Sequence, residues 1–175
     1  MGSKNQREVD ARALVLSVPE KDYGENYRDH FLQIYVTCLD MADKISDRRQ
    51  SANSFFLSIN SAIIAFFGYT ASGAGNVPVE LPQWQWIFAA VGVLLCWIWR
   101  GLIISYKRLN SAKFKIILEM EKHLPAKPFG AEWELLEEGQ KPKIYRPFTT
   151  MEQYVPVIFM ALHVIIIIFA AGFLR

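Results

Sequence analysis

The chain has 175 residues, 52% of them hydrophobic and 21% charged, with a net charge of +2. The 19 basic and 17 acidic residues are interleaved, with no basic stripe and no nucleic-acid motif, which argues against a nucleic-acid partner. The apolar residues gather into three blocks, Ala52 to Ser72, Trp86 to Tyr106 and Val155 to Leu174, which argues against a soluble domain: three helices apolar all round would need far more polar chain to cover them.

Each block holds about 20 residues, and at ~1.5 Å of rise per residue each crosses a hydrocarbon core of about 30 Å. The expected fold is therefore an all-α integral membrane protein with three transmembrane helices, the first two extended into a cytoplasmic helical bundle.

Residues 1–26 show no sustained periodicity and are expected to form a flexible tail. Their brief apolar run, Ala13 to Val18, is too short for a cleavable signal peptide. Met1-Gly2-Ser3 resembles the start of a myristoylation site, but Gln6 stands where Ser or Thr is needed.

Over 27–51, Phe31, Ile34, Tyr35, Cys38, Met41, Ala42 and Ile45 recur at three- and four-residue intervals with acidic and basic residues between them. One continuous helix is predicted from Tyr27 to Ala71, so that a cytoplasmic segment runs directly into the first span, 52–72. Small residues line one face of that span: Ser54, Ser58, Ser61, Ala65, Gly68 and Ser72 repeat at alternating intervals of four and three. Close helix approach across such a face drives association in lipid, where the ordinary hydrophobic incentive is missing, and a water-lined pore is the alternative use of the same hydroxyls. Asn53 and Asn60 are seven residues apart on this helix and point nearly the same way.

The loop 73–85 contains no Lys or Arg, whereas eight basic residues precede Gln50 and nine lie between Lys107 and Arg146. This asymmetry places the loop outside, the N-terminus in the cytoplasm and the C-terminus on the outer, periplasmic side. Trp84 and Trp86 at the outer end of the second span, 86–106, and Tyr106 and Tyr154 at inner ends fit interfacial aromatic belts. Arg100 falls roughly 9 Å inside the inner end of its helix, at about the expected depth of Asn60, so a polar cluster of Asn53, Asn60 and Arg100 is expected, with snorkelling of Arg100 to the interface as the alternative.

Over 107–124 the stripe Leu109, Ala112, Ile116, Ile117, Met120 and Leu124 continues the second helix until Pro125. Phe31, Tyr35, Cys38, Ile116 and Met120 are expected to pack the cytoplasmic part. In the connection 125–150 a short helix is expected at 131–138, with Trp133, Leu135 and Leu136 pinning it to the stalk. The carboxylates Glu119, Glu121, Glu132, Glu134, Glu137 and Glu138 have the spacing of solvated helix faces.

The last segment, 151–175, carries the third span, opened by the capping-box pair Thr149 and Glu152. His163 lies near its middle and is expected to be satisfied by a neighbouring helix; no Asp or Glu within the spans offers it a proton relay. Cys38 and Cys96 have neither disulfide nor metal spacing, and His30 and His123 are isolated, so no metal or cofactor is expected. Nucleophile elbows, phosphate loops and dinucleotide fingerprints are absent from the sequence, and no enzyme activity is expected.

The block Tyr106-Lys107-Arg108-Leu109-Asn110-Ser111-Ala112-Lys113-Phe114-Lys115, with Leu124-Pro125, Ala131-Glu132-Trp133, Tyr145-Arg146-Pro147 and the span entry Asp47-Arg48-Arg49-Gln50, resembles the RipA family of small octameric bacterial membrane proteins. The resemblance runs from about Tyr27 to Leu174. It implies a homo-oligomer of eight subunits in the bacterial inner membrane, with a role in stress or host adaptation, and it offers no catalytic residues. Residue spacing by itself implies self-association without a number. The helical arrangement also resembles small membrane-disrupting effectors of bacterial antiviral systems, so an oligomeric ion channel or permeabilising effector is the alternative. A lipid-sensing role for Lys107, Arg108, Lys113 and Lys115 ranks below both, since positive-inside bias already accounts for the residues next to the span.

Overall fold

The computed structural model describes residues 15–72, 82–141 and 151–173, and among them every regular element is helical. In chain order these are α1 (Glu20–Tyr23), α2 (Tyr27–Ala71), α3 (Pro82–Glu121), α4 (Pro128–Leu135), a 3₁₀ turn (Glu137–Gly139) and α5 (Tyr154–Phe173). The expected continuous helix is therefore present as α2. The loop before Pro82, the Thr149 half of the capping box and the first 14 residues lie outside the described residues.

Two of these helices are long and apolar enough to cross a membrane, Tyr27–Thr70 and Trp86–Glu121, and α5 contributes a shorter apolar stretch, Tyr154–Ala170. Only 17% and 28% of the most apolar parts of the first two are buried within the chain. A helix in the core of a soluble protein is mostly covered, so these apolar surfaces face something other than their own fold.

The chain divides into two compact units. The first comprises Met1–Ser46 and Arg108–Arg146, the second Asp47–Lys107 and Pro147–Arg175.

The first unit is built on the opening turns of α2 and the closing turns of α3. Phe31, Tyr35, Ala42, Ile117 and Met120 form its buried core, supported by Val15, Leu16, Cys38, Phe114 and Phe129. Full burial of a side chain such as Ile117 contributes roughly 1.5–3 kcal/mol. The segment expected to be a free tail thus carries packed residues from Val15 onward, because its short apolar run finds the end of this core. Gly24, at φ +103°, makes the bend between α1 and α2 in a backbone conformation that side-chain-bearing residues rarely adopt.

Three expectations are corrected here. Ile116 is exposed and the adjacent Ile117 is buried. Neighbouring residues differ by about 100° around a helix, so the Ile-Ile pair offers two faces, and Met120 and Phe114 select the one through Ile117. Trp133 remains 40% exposed and Leu135 is more so, because the short helix starts at Pro128 instead of 131. That earlier start turns Phe129 inward, where its ring meets Phe114 edge-on at 6.1 Å, and leaves Trp133 over Gly139. Lastly, Glu119 and Glu121 are buried rather than solvated.

The second unit packs α5 with the remaining turns of α2 and α3 around Phe56, Trp99 and Ile103, with Leu95, Val155 and Phe159 at the margin. Phe56 stacks on Trp99 with centroids 5.8 Å apart, and Phe159 reaches the same indole at 6.2 Å. Pro156, in the first turn of α5, is fully buried; its missing N–H costs nothing there, since first-turn donors have no intrahelical acceptor.

Candidate functional site

Within the second unit, one face of α2 carries Arg49, Asn53, Phe56 and Asn60, spaced by four, three and four residues. Each makes a specific contact with α3 or with the chain at the start of α5. Arg49 Nη1 donates to Glu152 Oε2 at 2.6 Å in a pair that is largely buried on both sides. Asn53 Oδ1 accepts the indole N–H of Trp99 at 2.8 Å.

Asn60 is fully buried and joins three helices. Its Nδ2 donates to the Phe56 carbonyl at 2.8 Å, which leaves Oδ1 as the acceptor facing the other helices. That oxygen receives the Cys96 thiol from α3 at 3.2 Å and faces His163 Nε2 from α5 at 3.0 Å. Because Oδ1 has no proton to give, Nε2 must carry the imidazole hydrogen, an assignment made from the network. His163 Nδ1 is then a buried acceptor without a hydrogen-bond partner among the described residues. The ring also fills the space beside Gly92, where an added Cβ would fall within van der Waals overlap of three ring atoms.

The expected cluster of Asn53, Asn60 and Arg100 is thus not formed. Asn53 bonds Trp99, Asn60 bonds Cys96 and His163, and Arg100 is exposed without a hydrogen bond or ion pair among the described residues. The cause is helical phase: Trp99 and Cys96 are three residues apart and face α2, while Arg100 lies about 100° from Trp99 and about 40° beyond Cys96, on the flank of that face, where it stays exposed. Nothing in the residue spacing of α2 alone pointed to Cys96 or Gly92, although a glycine seated in an apolar span is a signal of close approach.

The small residues occupy another side of α2. Ser54, Ser58, Ser61, Ala65, Gly68 and Ser72 are all exposed, and a Cβ added at Gly68 would meet nothing within 4 Å. Neither α3 nor α5 covers this strip.

In the first unit the polar focus is Glu121, only 2% exposed. Its carboxylate accepts the Tyr35 hydroxyl at 3.0 Å and the backbone N–H groups of Phe129 and Gly130 at 3.1 and 2.8 Å. It thereby joins α2 to α3 and caps α4, whose own N-cap, Lys127, has no side-chain acceptor to offer. Burial, then the hydrogen bond and negative charge of Glu121, push the Tyr35 phenol up to about 12. Among the described residues no cluster of three or more His, Cys, Asp or Glu side chains is arranged to hold a metal ion.

Long, largely uncovered apolar helices joined by buried polar contacts define a helical integral membrane protein. The sequence matches the octameric membrane protein family (8xMP) over residues 32–172, and the chain belongs to that family. This agrees with the family of small octameric membrane proteins that the sequence resembles. No curated protein and no solved structure matches the chain.

Proposed function

We propose that the chain is a non-enzymatic subunit of a homo-octameric assembly in the bacterial inner membrane, acting as a scaffold or sensor. In this reading α5 is a third span, the N-terminus is cytoplasmic, the C-terminus is periplasmic, and the first unit is a cytoplasmic helical bundle. The likeness to the RipA family suggests a part in stress or host adaptation.

The observation that carries the proposal is the small face of α2, uncovered by the chain's own helices along Ser54, Ser58, Ser61, Ala65, Gly68 and Ser72. Small side chains exposed to lipid gain little, whereas against a second helix they allow backbone approach and dispersion contacts. The family's octameric description supports eight as the subunit number. Mass measurement in mild detergent tests the assembly, with a monodisperse monomer as the refuting result. Ser61→Leu combined with Gly68→Leu is expected to shift the mass toward smaller species; an unchanged mass would place the interface elsewhere.

An oligomeric channel or permeabilising effector is the second reading, favoured by the exposed hydroxyls of Ser54, Ser58 and Ser61. The polar node of Asn60, Cys96 and His163 is enclosed within one subunit and gives a conducting path no lining. Ion flux from liposomes that responds to Ser61→Leu would favour the channel; a tight bilayer would favour the scaffold.

A further inference from the structure

In the first unit two sides of the helix pair remain uncovered, and they differ in character. On one side, Ile34 and Met41 of α2 and Leu109 and Ile116 of α3 are exposed by 41–56%. Both pairs have the seven-residue spacing of a helix-packing seam. The Lys113 ammonium lies 3.8 Å from Met41 Sδ, so the two seams share one side of the unit, with a cation between them. On α2, Leu32 and Val36 are also exposed, by 51% and 46%. At about 100° per residue Val36 points roughly 160° away from Ile34, so a second, different surface is involved. Asp29 and Asp43 share that phase and are exposed, with no cationic partner among the described residues.

We infer that these two sides are the complementary halves of one head-to-tail contact, by which the seam around Lys113 in one copy packs on the Leu32 and Val36 surface of the next copy, flanked by Asp29 and Asp43. The inference rests on the homo-oligomer proposed above and adds the symmetry and the faces. Lipid is a poor occupant for either side, because Asp29, Asp40, Asp43, Lys44 and Lys113 stand among the apolar residues. A two-fold contact would set Lys113 against Lys113, or Asp43 against Asp43, with like charges opposed. A head-to-tail contact sets opposite charges together, and repeated around an axis it closes a ring.

Two experiments on the full-length protein in mild detergent test this. Ile34→Cys and Val36→Cys are introduced singly and together, with Cys38 replaced by Ala, and the purified assembly is oxidised. Since the two sites face apart within one chain, the paired variant is expected to give a ladder of covalent multimers running past the dimer, while each single variant stays monomeric on a denaturing gel. Efficient dimers from either single variant, or no ladder from the pair while the native mass is unchanged, would overturn the head-to-tail contact and leave the homo-oligomer standing. A monomeric mass before oxidation would instead refute the oligomer itself. Separately, Lys113→Glu and Asp43→Lys are each expected to loosen the assembly and together to restore it. These residues sit on opposite sides of one subunit, so restoration requires a neighbouring copy; additive loss in the double variant would count against the contact.

Discussion

The imidazole of His163 occupies the volume that a side chain at Gly92 would fill. This seating brings α5 against α3 closely enough for Nε2 to reach Asn60 on α2. Gly92→Ala is expected to push the ring off its site at a cost of about 1–3 kcal/mol, as overpacked interiors generally show. Gly101→Ala serves as the control, because its Cβ meets nothing within 4 Å, and by helix propensity it should be neutral or slightly stabilising. Thermal unfolding of both variants in the same detergent makes the comparison; equal melting would contradict the close fit.

Asn60 Oδ1 serves donors from two other helices, so removing it orphans both. Asn60→Ala is expected to cost about 1–3 kcal/mol, the usual penalty for buried polar groups left unpaired. A double-mutant cycle with His163→Ala should give a coupling of roughly 0.5–3 kcal/mol, while the cycle of Asn53→Ala with His163→Ala should be close to additive. Strong coupling in the second cycle would mean that the Asn53–Trp99 bond and the Asn60 node act as one network.

Glu121 receives three donors with two oxygens, and a glutamine cannot do the same. Glu121→Gln turns one acceptor into a donor facing another donor, with an expected loss of about 1.5–3 kcal/mol from the first unit. Amide exchange should quicken at Phe129 and Gly130, whose N–H groups lose their acceptor. Unchanged protection there would show that α4 is held by Phe129 packing alone.

Tyr35 adds a pH dependence with a definite sign. Its folded-state value is raised from 10.0 to about 12, so the stabilisation is complete below pH 10 and is lost as pH climbs toward 12. The decline should be on the order of 2–3 kcal/mol across that window, at ~1.4 kcal/mol per unit. Denaturation at stepped pH measures it, and Tyr35→Phe should flatten this component; a decline of the same size in that variant would assign it to other groups.

Much of the helical architecture was legible because membrane crossing and helix periodicity are written in local order. The run from Tyr27 to Ala71 appears as the expected single helix, and the small residues from Ser54 to Ser72 lie within the surface that the chain's own helices leave uncovered, beside Phe55, Leu57, Phe66 and Tyr69. Ile116 and Ile117 show where local order fails. Either residue completes the stripe, and only the position of Phe114 and Met120 against α2 decides that Ile117 is inside. Glu121 was misread for a related reason: a carboxylate between charged neighbours has the pattern of a wet surface until a phenol and two backbone amides converge on it. The lack of a capping side chain before Pro128 was the one local hint that a distant acceptor would be needed.

By itself the sequence determined that apolar helices dominate, where the long ones run and which side of α2 carries small residues. These properties depend on composition and on the 3.6-residue repeat, which act over a few turns of one helix. Tertiary structure decided that Asn60 meets Cys96 and His163 instead of Arg100, and that Glu121 holds Tyr35 and α4 together. Those pairings depend on the register and rotation of separate helices against one another, which packing sets and no single segment encodes.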